Sequence, residues 1–253
     1  MRIQRAGWIV LLALSVSAAT WGITIPITTT YSTGFDSSGN LLTTDAAPDG
    51  NWTFYQGDNL LALNGTPVGA WVVRTNFVPF VWPGWSTNTS SSQWITPTPQ
   101  RWNLFGLTGI PALPGTSYIA VTTFTIPAMT DPPNWTQWWL VMSGVVWADQ
   151  GVAGNSFYLL NSDNSIAYTG TLSGSPTGTT SAGFQFQTWV DPGGTYKLAF
   201  ILPNTANTVA GFRLQFNEKY VTPEPGAWLT MATVGVGLAL AAWRRRRSGQ
   251  RPA

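Results

Sequence analysis

Carboxylates and indoles are the side chains through which this 253-residue chain could act on another molecule: it holds 10 Asp+Glu and 15 Trp, with no His and no Cys. Without imidazole or thiol it cannot build Ser-His-Asp or Cys-His catalysis, a His or Cys zinc site, haem or iron–sulfur ligation through those residues, or a disulfide. Glycoside hydrolysis needs only two facing carboxyl groups, about 5 to 10 Å apart. Between Tyr31 and Val221 the acids are Asp36, Asp45, Asp49, Asp58, Asp131, Asp149, Asp163, Asp191 and Glu218. Nearly all are aspartates set among Gly, Asn, Ser and Pro, where a carboxylate commonly caps a local backbone turn. No segment pairs an acid with a nucleophile in a recognisable motif. The reading is therefore a non-enzymatic protein, with a carboxylate-dependent glycoside hydrolase as the alternative.

Hard cations take several oxygen ligands, and the turns DSSGN (36–40) and NSDNS (161–165) bring carboxylate, amide and carbonyl oxygens close together. Asp36 and Asp163 are accordingly the calcium candidates. Neither segment has EF-hand or RTX spacing, so plain turns account for both, and no metal site or other cofactor is assigned. Indoles offer a different chemistry, since their faces stack on the apolar faces of sugar rings while the N–H finds a polar partner. Trp82, Trp85, Trp94 and Trp102 stand near Pro, Gly, Ser and Thr and outside strand-like runs, which makes them the expected sugar-stacking residues. Trp138, Trp147 and Trp189 lie within strand-like runs and are expected in the core.

The elements that must position these residues are strands. Runs rich in β-branched and aromatic residues recur at 70–73, 118–126, 137–148, 156–160, 184–190, 195–202 and 210–216, and the stretches Phe184-Gln185-Phe186-Gln187 and Phe212-Arg213-Leu214-Gln215-Phe216 alternate apolar with polar. Turn-forming clusters such as Asp191-Pro192-Gly193-Gly194 punctuate them. There is no long helical periodicity and no fixed internal repeat. The expectation is an all-β domain over residues 23–221, a two-sheet sandwich of jelly-roll type.

Charge is sparse, at 9% of residues, and unevenly placed. Seven basic residues sit at the chain ends, leaving five against nine acids between Tyr31 and Val221, a net of about −4 there. The middle is not a nucleic-acid-binding surface. At the N-terminus, Arg2 and Arg5 precede an apolar run from Trp8 to Val16 and small residues at Ser17 and Ala19. This is the three-part pattern of a secretory signal peptide, residues 1–19, with the apolar run too short to span a bilayer. At the other end, residues 227–243 are apolar and uncharged, flanked by Trp228 and Trp243, and are followed by Arg244, Arg245, Arg246 and Arg247. As a helix this stretch rises about 25 Å, enough for a single transmembrane anchor. The arginines hold the cytoplasmic side, leaving the middle outside the cytoplasm.

The tail over residues 222–253 resembles the PEP-CTERM sorting domain of bacterial exported proteins: Pro223, Glu224 and Pro225, then the apolar span, then the basic cluster, in that order. The resemblance implies an exosortase as partner, reading the Pro-Glu-Pro motif and processing the tail. It also implies a route from inner-membrane anchoring to the cell envelope or an extracellular polysaccharide matrix. A plain anchor with a Pro-Glu-Pro linker is the alternative. The middle is also similar to galactose-binding-domain-like sandwiches. The likeness lies in the order of STGFDSSGNLL (32–42), NWTF (51–54), SSSQWITP (90–97), YIAVTTFTI (118–126), WADQG (147–151) and AGFRLQF (210–216). Together these readings give an exported, non-enzymatic envelope or matrix protein, with binding of exopolysaccharide through loop tryptophans as the alternative role.

Overall fold

The computed structural model describes residues 24–63, 67–73, 85–103, 106–109, 116–128, 138–204 and 210–223. The signal peptide, the tail from Glu224 onward and Trp82 lie outside the described residues, as does the side chain of Trp102. Thirteen strands follow in chain order: β1 (Ile25–Pro26), β2 (Pro48–Gln56), β3 (Pro67–Val73), β4 (Trp94–Thr96), β5 (Gln100–Asn103), β6 (Gly106–Gly109) and β7 (Tyr118–Thr125). The second group is β8 (Trp138–Ala148), β9 (Ser156–Asn161), β10 (Ile166–Thr171), β11 (Ala182–Val190), β12 (Thr195–Leu202) and β13 (Phe212–Pro223). Two short 3-10 turns at Leu60–Ala62 and Ala153–Asn155 are the helical elements among the described residues.

The chain is all-β, as expected; β5 and β6 pair as a separate two-stranded sheet, and the two layers of the expected sandwich are continuous, formed by one eleven-stranded hydrogen-bonded antiparallel sheet. Its strand order is β10-β9-β12-β7-β2-β3-β4-β13-β8-β11, with β1 added on β13. The reason is β4: its three residues pair with β3 on one side, and Ile95 pairs with Phe212 of β13 on the other, joining the two layers. The sheet folds over one main core rich in aromatic rings, with smaller buried clusters outside it, and its two end strands meet through rings. Tyr168 of β10 stacks on Phe186 of β11 at 5.3 Å, and Phe157 of β9 packs on Phe184 of β11 at 5.5 Å.

Strand alternation decides which face each residue takes. In β8, Trp138, Leu140, Met142, Val146 and Ala148 point inward and are buried, while Trp139, Ser143, Val145 and Trp147 are half-buried on the outer face. Each buried large apolar side chain contributes roughly 1.5 to 3 kcal/mol. Gly144 is required within this strand, because a Cβ there would run into the Gln215 carbonyl and the Phe184 ring.

The expected run at 210–216 continues as far as Pro223, so the first residue of the Pro-Glu-Pro motif is the last of β13, paired in register with Trp138. A β-bulge between Phe216 and Glu218 inserts Asn217 into β13 opposite β8. It resets the alternation: Phe212, Leu214 and Phe216 face the core before it, and Val221 faces the core after it. Glu218, Tyr220 and Thr222 are thereby aimed outward, opposite Ser143, Val141 and Trp139.

Candidate functional site

Two of the expected sugar-stacking residues are interior. Trp85 and Trp94 stack on one another with centroids 4.5 Å apart and planes at 23°, and they are 2% and 0% exposed. Their N–H groups are spent inside the fold, Trp85 Nε1 donating to Asp149 Oδ1 at 2.7 Å and Trp94 Nε1 to the Ser86 carbonyl at 2.8 Å. Neither presents a face to a ligand, which corrects the loop-platform expectation. Trp147 packs against the pair, and the Arg213 guanidinium covers the Trp147 ring at 4.2 Å.

Arg213 donates from Nε to Ser92 Oγ at 2.8 Å, from Nη1 to Ser86 Oγ at 3.2 Å and the Thr87 carbonyl at 2.6 Å, and from Nη2 to Thr89 Oγ1 at 3.2 Å. Burial pulls its pKa down to about 10, so it stays charged at neutral pH. This cluster fastens the segment 85–94 to the sheet.

The calcium candidates are turn caps. Asp36 accepts from the amides of Ser38 at 2.9 Å and Asn40 at 2.8 Å, and these bonds, led by that of Asn40, hold its pKa below the usual value. Asp163 accepts from the Ser165 hydroxyl at 2.6 Å and amide at 2.9 Å, again lowering its pKa. Among the described residues no group of three or more acidic side chains is placed to hold a metal ion. Asp49 differs: it is almost fully buried, accepts from the Gly34 amide at 2.7 Å and the Asn51 amide at 2.9 Å, and burial raises its pKa to about 7.

Among the described residues, the most exposed indole lies on the outer face of β8 and β11. Trp189, expected in the core, is 36% exposed and pairs in register with Trp139, the two rings lying 4.0 Å apart. The sequence held the signal: Phe184, Phe186 and Val190 are buried alternate residues, and Trp189 sits out of phase with them. From this indole pair the face runs along the ladder through Gln187 opposite Val141, Gln185 opposite Ser143, and Gly183 opposite Val145. Both glutamines are exposed. Six residue steps along β8 make this track about 20 Å long.

At its centre Ser143 Oγ donates to Glu218 Oε2 at 3.1 Å. Beside them lies an open depression of about 500 Å3 lined by Ser143, Val145, Thr171, Ser173, Gln185 and Asn217 among others. Paired indoles at one end and amides, hydroxyls and a carboxylate beyond make a surface suited to a polyhydroxylated chain.

No protein-family model and no curated protein match the chain. Among solved structures it is similar to the enzymatically active domain of tailspike protein 4 of bacteriophage CBA120, at 16% identity and a TM-score of 0.28 over 68% of this chain. The chain spans 19% of that protein's length. It is also similar to a CBM4 carbohydrate-binding module, at 10% identity and a TM-score of 0.29 over 62% of this chain and 87% of that one. A third likeness is to the K3 cleaved adhesin domain of Lys-gingipain from Porphyromonas gingivalis w83, at 13% identity and a TM-score of 0.29 over 79% of this chain and 99% of that one.

Proposed function

We propose that this β domain is a non-catalytic carbohydrate-binding module that takes a polysaccharide chain on the outer face of β8, β11 and β13. The observation that carries it is the Trp139–Trp189 pair, with Trp189 exposed and Trp139 half-buried, at the head of a track of exposed amides and hydroxyls. A large aromatic surface that is not spent in the core has a use outside it. Sugar rings fit because they present an apolar face to indole and hydroxyls to Gln185, Gln187 and Ser143. The test is affinity electrophoresis of the full chain in mild detergent through gels containing a panel of polysaccharides. At least one should retard the protein, and Trp189→Ala should abolish the retardation. Unaltered mobility in every gel would defeat the reading.

The terminal segments support a matching location. The signal-peptide pattern of residues 1–19 and the apolar span with its four arginines favour a domain held outside the cytoplasm by the inner membrane. Pro223, Glu224 and Pro225 are then the element that an exosortase reads before the domain passes to the envelope or matrix. Mass spectrometry of the mature C-terminus, with and without the exosortase, tests this. An identical C-terminus retaining Arg244 to Arg247 in both would make the tail a plain anchor.

A further inference from the structure

Resting on the carbohydrate-binding reading above, the geometry points to Glu218 as the residue that selects neutral glycans and rejects acidic ones. Ser143 is four residues from Trp139 along β8, about 13 Å, and its hydroxyl bond fixes the Glu218 carboxylate beside the track. A single sugar stacked on the indoles cannot reach that carboxylate; an oligosaccharide running toward Gln185 can.

The charge along the face then decides which chain is accepted. On the outward positions of β8, β11 and β13 that the structure describes, the charged residues are Glu218 and Arg213, and Arg213 is 2% exposed with its donors engaged by the segment 86–92. Lys219 points the other way: its Nζ donates to the Thr30 carbonyl and lies 4.8 Å from the Tyr31 ring centre. A ligand on the track therefore meets negative charge without an accessible cation. Neutral sugar hydroxyls donate to the carboxylate in charge-assisted hydrogen bonds, whereas a uronate or sulfated sugar brings like charge against it.

The position depends on the bulge at Asn217, which turns Glu218 outward. Were Asn217 paired regularly opposite Ser143 instead of bulging, Glu218 would fall opposite Met142 and face the core, and the track would carry no exposed charge.

The experiment is calorimetric titration of the full chain in mild detergent with four probes: methyl glucoside, hexamers of neutral glucose, hexamers of neutral galactose, and an oligogalacturonate of equal length. Wild type should bind a neutral hexamer and not the oligogalacturonate. Glu218→Gln should weaken the hexamer about tenfold, leave methyl glucoside unchanged and admit the oligogalacturonate. Ser143→Ala, which frees the carboxylate from its tether, should weaken the hexamer to a smaller degree. Equal wild-type affinity for neutral and acidic hexamers would overturn the inference. So would a Glu218→Gln protein that binds the neutral hexamer normally while Trp189→Ala abolishes binding, a result that leaves the carbohydrate-binding reading standing. Loss of all binding in wild type would defeat both.

Discussion

Arg213 lies with its guanidinium 4.2 Å from the centre of the Trp147 ring, and the same side chain bonds Ser86, Thr87, Thr89 and Ser92. A buried cation held by neutral acceptors and an aromatic face acts as a clip between β13 and the segment that delivers Trp85 and Trp94 to the interior. Replacing it by methionine leaves those oxygens without their donors, so Arg213→Met should cost about 3 kcal/mol. Arg213→Lys should recover part of this, because an ammonium keeps the charge but cannot reproduce the planar fork. Urea unfolding midpoints decide it, and a methionine variant as stable as wild type would refute the clip.

Gly211 precedes β13 where the Trp85 indole lies against its backbone, and a Cβ at that position would clash with the ring, within 2.3 Å of its nearest carbon. Gly211→Ala should therefore displace Trp85 from its stack on Trp94, at a cost of about 1 to 3 kcal/mol. Near-ultraviolet circular dichroism should show the loss of the coupled indole signal. An unchanged spectrum would mean that the backbone gives way instead.

Clean alternation made much of this fold legible in advance. The run at 195–202 is β12 to the residue, and 118–126 overshoots β7 by one. Strand β2 was hidden because it begins Pro-Asp-Gly-Asn and its register with β3 shifts between Asp49 and Thr53. The interior places of Trp85 and Trp94 could not be read locally, since they are made by Trp147, Asp149 and Arg213, which are remote in sequence. Trp189 could have been placed outward by phase alone. Glu218 could not, because its direction depends on a one-residue bulge that leaves no mark in composition.

Asp49 sets a pH dependence whose sign follows from its burial. Folding raises its pKa from 3.8 to about 7. Within that window the folded chain keeps a proton that the unfolded chain has released. Stability therefore falls as pH rises through the window and levels off above it. Asp149, also raised by burial, acts in the same direction; Asp36 and Asp163, both lowered, act at more acid pH. Wild type should unfold at higher urea concentration at about pH 5 than at about pH 8. Asp49→Asn should shrink the difference. An undiminished difference would show that Asp49 does not titrate in this range.

Trp189 separates binding from folding more cleanly than any other indole described. It lies on an edge strand with 36% of its surface exposed, and its main ring contact is Trp139 at 4.0 Å. Trp189→Ala should thus lose one exposed aromatic pair, about 1 kcal/mol, and remain folded. Its polysaccharide affinity should fall by tenfold or more, the usual consequence of removing a central aromatic anchor. Trp94→Ala makes the opposite prediction, because Trp94 is enclosed and accessible to no ligand. It should cost about 3 to 5 kcal/mol, while whatever fraction stays folded binds with wild-type affinity. Parallel urea and affinity-gel series on the two variants test this crossed pattern. If Trp94→Ala lost affinity without losing stability, the ligand would have to reach the loop end of the domain, and the face of β8 and β11 would no longer be the site.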